Sequence, residues 1–275
     1  MVLSSVILHL AGILPGGFLV CFQSVPVIRH KLILFHRLNG YLVILLFLIA
    51  QAGAYMIIPT AAGGSPPTQI GLGVLRTAVT TAIVLACYNI KRLQIDQHRA
   101  WMLRAWIWAG SIISLRLIQL ASNHWIRLYA SDSFYAIFAC SDIWDMYKLY
   151  GAPDQSNPTP EIYEACTSPD SSTRVAVSIL APGPEGSSAL LVLTFGASLW
   201  LAFILHVFGT ELYLWLTPAE TQRLKEYSYK RQVEAGFKHP GRAGLTADRL
   251  GDAPAWKPAE DDVVEREKTA NSQSE

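Results

Sequence analysis

Along the chain, long apolar stretches alternate with short polar ones, and five of the apolar stretches are long enough to cross a bilayer. A helical span needs about 20 mostly apolar residues, because backbone polar groups in hydrocarbon must be satisfied within the segment itself. The qualifying stretches run from about Ser5 to Ile28, Gly40 to Ile58, Gln69 to Ile90, Trp101 to Ser122 and Ser188 to Leu216. Pro15-Gly16-Gly17 interrupts the first and is expected to kink or loosen it. The fourth carries two arginines, and the fifth is longer than needed, so it is expected to tilt or emerge into water. The fold class this pattern predicts is all-α. It is a polytopic transmembrane helical bundle of about five spans over residues 1–216. An outer loop is expected at residues 123–187, and a cytosolic amphipathic helix with a disordered tail at 217–275.

Composition agrees and narrows the partners. Of the 275 residues, 51% are hydrophobic and only 16% charged, with a net charge of +1; a soluble domain carries roughly 25% charged residues. A near-zero net charge gives no basic face for nucleic acid. The lipid bilayer is the partner the sequence demands.

Charge asymmetry sets orientation. Arg29, Lys31 and Arg37 follow the first span, and Lys91, Arg92 and Arg99 follow the third, whereas residues 59–68 carry no charge. The long connection after the fourth span is acidic, with Asp132, Asp142, Asp145, Asp154, Glu161, Glu164, Asp170 and Glu185 against Arg127, Lys148 and Arg174. This alternation places the amino terminus outside or in a lumen and the carboxyl terminus in the cytosol. The start, Met1-Val-Leu-Ser-Ser, lacks the basic region of a cleavable signal, so a retained first span is expected. Cys21 and Cys87 fall within spans as ordinary apolar residues. Cys140 and Cys166 fall in the outer loop, where an oxidising compartment permits a disulfide.

Two extramembrane segments have patterns of their own. Ser133 to Tyr150 mixes aromatics with acids and reads as an interfacial helix at the headgroup level, with a lid over an outward-facing pocket as the alternative. Residues 151–188 are rich in Pro, Ser and Gly and are expected to be irregular. Thr217-Pro218-Ala219-Glu220 has a helix-start pattern, so an amphipathic helix is expected to run to about Ala235. Its Arg223, Lys225, Lys230 and Arg231 suit an anionic leaflet. Disorder is expected beyond Gly236.

Polar groups inside spans are costly and mark candidate sites. An inner layer contains His36 and Arg37, then Asp96, His98, Arg99 and Arg104, then His206 and Glu211. With Asp96 as N-cap of the fourth span, free backbone N–H groups and nearby arginines favour an anion there. Paired histidines on facing helices suit a b-type haem, with arginines on its propionates. The cofactor-binding candidates are therefore His36, Arg37, His98, Arg99, Arg104 and His206. Interfacial anchoring by His-Arg pairs is the competing structural reading. An outer layer contains Arg76 and Arg116, expected at similar depths with no acid in the outer halves of the spans. Their partner must be the acidic loop, a lipid headgroup or a bound anionic ligand. No nucleotide-binding, nucleophile-elbow or His-Glu-x-x-His zinc motif occurs, and no metal site is expected. Nor does any duplicated set of spans suggest a transporter repeat.

The stretches from Leu14-Pro-Gly-Gly-Phe through His36-Arg-Leu-Asn-Gly-Tyr41, and Asp96-Gln-His-Arg-Ala-Trp-Met-Leu-Arg104 with Arg116, carry a resemblance. They resemble the predicted-membrane-protein family called domain of unknown function 2306, particularly its filamentous-fungal members, over roughly residues 12–122. The resemblance implies a multi-span helical bundle. By analogy its His-Arg-x-x-Gly pattern is similar to motifs of haem-bearing membrane cytochromes, and it points to His36, Arg37, Gly40, His98, Arg99, Arg104 and Arg116. Three function classes follow: a haem b or redox protein; a membrane-embedded enzyme acting on a lipophilic metabolite; and a non-catalytic membrane, transport or scaffold protein. The small molecule implied is lipophilic or anionic.

The topology carries its own check. Reduction should shift the gel mobility of the protein, and Cys140→Ser should abolish that shift; no shift in the unaltered chain would count against an outer location of this loop.

Overall fold

The computed structural model describes residues 2–130, 132–150, 163–166, 173–251 and 253–258. Five helices are long and apolar enough to cross a membrane: Leu3–Gln23, Ile33–Gly64, Pro66–Lys91, Ile95–Tyr129 and Pro184–Leu216. The elements in order are α1 (Val2–Gln23), α2 (Pro26–Lys31), α3 (Ile33–Ile57), a 3-10 stretch (Ile58–Gly64), α4 (Pro66–Lys91) and α5 (Ile95–Tyr129). They continue with β1 (Tyr135–Ala139), α6 (Cys140–Tyr150), β2 (Arg174–Ser178), α7 (Pro184–Leu216), α8 (Pro218–Glu234) and α9 (Ala247–Leu250). The helices outrun the apolar stretches. At 35 and 33 residues, α5 and α7 are each about 50 Å long against about 30 Å of hydrocarbon. Backbone hydrogen bonding does not stop at the headgroups, so the basic residues expected in a loop before Gly40 partly belong to the first turns of α3. The expected interruption at Pro15 does not end α1, which continues through it.

The chain divides into two compact units, one of Met1–Val74 with Ser111–Phe203, the other of Leu75–Gly110 with Ile204–Glu275. In the first, α1 packs along α3 through small residues. A Cβ on Gly12 would lie 2.6 Å from the Leu46 carbonyl oxygen, and one on Gly53 would lie 2.7 Å from both His9 N and Ser5 O. The helices therefore approach closely at two points, Gly12 against Leu46 and Ala50 and Gly53 against Ser5 and His9, while Gly16, the other half of the local GxxxG spacing, has ordinary room. Two polar side chains bridge the pair along its length: His9 Nδ1 lies 2.9 Å from Ala50 O, and Asn39 Nδ2 donates to Leu19 O at 3.0 Å.

The same unit carries a small extramembrane module. Residues expected to form one interfacial helix instead split into β1 and α6. Tyr135-Ala-Ile-Phe-Ala alternates outward and inward side chains and pairs antiparallel with β2, Tyr135 opposite Ser178 and Ala139 opposite Arg174. The partner strand lies some forty residues later in sequence, so local pattern alone favoured the helix. Cys140, opening α6, is joined by a disulfide to Cys166. Phe138, Ile143, Val177 and Ile179 close the module's core. Residues 151–162 and 167–172 of the connection expected to be irregular lie outside the described residues.

Within this core sits Glu185, in the first turn of α7 and only 1% exposed. The Tyr163 hydroxyl donates to its Oε1 at 3.5 Å, and Tyr147 donates to the same carboxylate. Burial, then the Glu185 charge and hydrogen bond, push the Tyr163 phenol up to about 12. Burial and then the Glu185 hydrogen bond and charge raise that of Tyr147 as well. An unfolded tyrosine releases its proton near pH 10, while the folded module holds it, so this contribution to stability is complete below pH 10. It is lost as pH rises through about 12. Phenolate absorbance and near-ultraviolet dichroism followed together should show the module loosening in that window, and Tyr163→Phe should weaken the pH dependence there.

Candidate functional site

Lipid offers a polar side chain no partner, so a cluster of them inside spans is the place to look for chemistry. In the second unit such a cluster lies where residues 95–110 of α5 run antiparallel to residues 204–216 of α7. Arg104 donates from Nε and Nη2 to Glu211 Oε1 and Oε2 at 2.7 and 2.8 Å, a bidentate pair. Its guanidinium also lies 4.7 Å from the centre of the Trp101 ring. One turn toward the start of α5, Arg99 Nη2 donates to the Tyr213 hydroxyl at 3.3 Å. One turn the other way, His206 Nδ1 lies 2.5 Å from Ile107 O. A Cβ on Gly110 would meet His206 Cε1 at 3.6 Å, so the bare glycine lets the imidazole lie against α5. The result is a polar seam of Arg99–Tyr213, Arg104–Glu211 and Ile107–His206 along one helix pair.

His98 is held in the same manner as His206, with Nδ1 2.9 Å from Ala86 O on α4. A carbonyl only accepts, so in both rings Nδ1 carries a proton. The two rings do not converge, however. His206 contacts Ile107, nine residues along α5 from His98 and about 13 Å away on its axis, while His98 turns to a different helix. They do not flank one iron. Among the described residues no group of three or more His, Cys, Asp or Glu is placed to hold a metal ion.

The start of α5 differs from the sequence expectation. The helix begins at Ile95, so Asp96 lies in its first turn and is not the cap. The backbone N–H groups expected to bind an anion are capped by Ser228 of α8, whose Oγ accepts from Ile95 N at 2.8 Å and Asp96 N at 3.4 Å. Ser228 in turn donates to Asp96 Oδ1 at 3.1 Å, and Gln94 Nε2 donates to the same oxygen at 2.8 Å. The first N–H groups of α5 are thus taken by the Ser228 hydroxyl, which the Asp96 carboxylate backs. Gln94 is the hub of this cap: its Oε1 accepts from Gln232 Nε2 at 3.0 Å and from Gly244 N at 3.2 Å. Gln232 also donates to Arg92 O and accepts from Gly241 N, and Leu245 N donates to Asn89 Oδ1 at 2.8 Å. Polar sequence after Gly236, expected to be disordered, is thus docked at residues 241–245, and Trp256 stacks edge-on against Tyr229. Residues 259–275 lie outside the described residues. Helix α8 begins at Pro218 as expected, but the Thr217 hydroxyl turns back to Tyr213 O and leaves the cap unused.

The remaining sequence candidates belong to the first unit, apart from Arg76 on α4. His36 and Arg37 lie in the first two turns of α3, where His36 O accepts from Gln23 Nε2 at 3.0 Å and Arg37 is exposed. Arg116 donates to Gln119 Oε1 at 3.1 Å and lies 5.2 Å from the Phe195 ring centre; its partner is a neutral amide, not a loop carboxylate. Tyr213, Gly110 and the Gln94–Gln232 hub carried no motif, and Trp101 stood inside the Asp96–Arg104 stretch with no role assigned to it. The one sequence signal for the hub is a set of amides in otherwise unremarkable polar turns.

The model of one protein family, described as Predicted membrane protein (DUF2306), matches residues 3–141. The match covers about half of the chain, from α1 through β1, and ends before α7. No curated protein and no solved structure matches the chain.

The cap makes a local prediction. A Cβ on Gly244 would fall on Asn89 Oδ1 and 2.5 Å from Gln94 Cβ, so Gly244→Val should expel the strap at 241–245. The lost buried hydrogen bonds are worth about 1–3 kcal/mol. Hydrogen exchange should show faster exchange at residues 241–245 and at the start of α5, with the other spans unaffected.

Proposed function

The chain belongs to the family described as predicted membrane protein (DUF2306), and from that premise we propose a five-span membrane protein whose activity centres on the α5–α7 seam. The single observation that carries this reading is the bidentate Arg104–Glu211 pair inside two apolar spans, one turn from the His206 imidazole, whose Nδ1 donates to Ile107 O. An ion pair within a span costs desolvation that an apolar pair of similar volume avoids. Its retention next to His206, Arg99 and Tyr213 favours a centre that binds or turns over a lipophilic small molecule over a purely structural contact. In that centre Arg99 offers donors to an anionic group, Glu211 holds Arg104 in place, and the His206 imidazole is fixed beside them by Ile107 O.

We place this seam on the cytosolic side, with the amino terminus outside and the carboxyl terminus inside. The basic residues at 31–37 and 91–99 support that orientation, as does the Cys140–Cys166 disulfide in the connection after α5, since a disulfide suits an oxidising compartment. The reduction-dependent gel shift in whole cells tests it.

A charge swap separates function from scaffold. Arg104→Glu with Glu211→Arg keeps an ion pair but relocates each charge relative to His206 and Arg99. In a deletion strain the swapped protein should accumulate normally yet fail to restore the profile of apolar metabolites. Full restoration would make the pair structural and remove this reading. Haem b is the redox version of the proposal, supported by His98 and His206 lying near arginines in one unit. With His98 held against α4 and His206 against α5, a haem in this unit would be held by one of the two histidines. Detergent-purified protein should then show a Soret band that His206→Ala or His98→Ala removes; colourless protein with no extractable haem would end the haem version and leave the seam.

A further inference from the structure

In the first unit, residues 111–129 of α5 face residues 184–203 of α7 through a second polar contact. Gln119, 2% exposed, donates from Nε2 to Leu191 O at 3.0 Å and lies 3.4 Å from Thr194 Oγ1. Thr194 in turn donates to Asn123 Oδ1 at 2.7 Å. With both N–H groups of the amide directed at α7, its oxygen can only turn toward α5, where it accepts from Arg116 Nη1 at 3.1 Å. The Phe195 ring lies under the guanidinium at 5.2 Å. Amide and ring therefore fix the orientation of a side chain that would otherwise be free to rotate.

Arg116 is nevertheless exposed on the surface of α5. A guanidinium has five N–H donors, and here one meets Gln119. Among the described residues, no acidic side chain pairs with it. It lies nine residues, about 13 Å, before Trp125, whose ring pairs with Tyr129 at 4.3 Å in an aromatic belt typical of the membrane interface. A fixed cation at that depth, open to the lipid side and lacking an internal counter-charge, is held at a cost that an anion would relieve.

We propose that Arg116, positioned by Gln119 and Phe195, is a binding site for the oxyanion head of an amphiphile reached from the lipid phase. The ligand's phosphate or carboxylate pairs with the outward donors of Arg116, and its chain lies along the apolar surface beside it. A bilayer phospholipid and a free lipophilic acid share this chemistry. The site is independent of the α5–α7 seam in the other unit.

The test uses the full chain reconstituted in phosphatidylcholine bilayers with spin-labelled phosphatidylglycerol, stearate or phosphatidylcholine. The protein should restrict at least one acidic label several-fold more than the phosphatidylcholine label. Arg116→Gln should reduce that preference to none, and Arg127→Gln, nearer the interface, should leave it. Gln119→Glu gives Arg116 an internal carboxylate in an isosteric side chain, and should also abolish the preference in a protein of normal gel-filtration behaviour. That variant decides the matter if Arg116→Gln does not fold. Preference for phosphatidylglycerol alone identifies a lipid headgroup, and preference for stearate alone a free lipophilic acid; either supports the site. No preference in the unaltered protein, or a preference that survives Gln119→Glu, overturns it.

Discussion

A carbonyl oxygen in the middle of a helix accepts one backbone hydrogen bond and keeps a second lone pair, and the bundle is organised around that spare capacity. His9 uses Ala50 O, Asn39 uses Leu19 O, Gln23 uses His36 O and Trp200 uses Pro67 O. His98 uses Ala86 O, Gln119 uses Leu191 O and His206 uses Ile107 O. Each bond joins a polar side chain on one span to the backbone of a neighbouring one. Lipid can neither compete for these donors nor satisfy them, so each specifies a helix neighbour and its rotation where apolar packing alone is permissive.

This constraint also sorts the polar residues by role. Once a histidine has given its Nδ1 proton to a neighbouring backbone, the orientation of its ring is set. Arginines cannot be satisfied this way, because a single carbonyl does not neutralise a charge. Among the described residues, Arg104 takes a carboxylate from Glu211, and Arg116 takes an amide and a ring. That contrast, two arginines on one helix with and without a counter-charge, separates a self-contained ion pair from a surface that still calls for an anion.

Outside the hydrocarbon the chain uses other means. The module after α5 is too small to rely on its few buried side chains, and the Cys140–Cys166 bond and the Glu185 cluster add what its core lacks. In the second unit, Gln94, Gln232, Asn89, Ser228 and Asp96 form a connected buried polar network over the start of α5. Such a network is stable only when every member is paired, which explains why Gly244, with no side chain, is needed where the strap approaches closest.

The sequence alone determined the number of long apolar helices and the cysteines available to pair, because length and hydropathy are local quantities that lipid enforces. It determined the start of α8 at Pro218 for the same local reason. It did not determine β1, whose partner strand lies beyond a long connection, nor the docking of residues 241–245, whose hydrogen bonds reach back about 150 positions along the chain. Nor could it show that Ser228, backed by Asp96, takes the first N–H groups of α5, that Gly12 and Gly53 are the points of close approach, or that His98 and His206 face different helices. Those are matters of rotation and register between helices, and only tertiary packing decides which carbonyl each polar side chain meets.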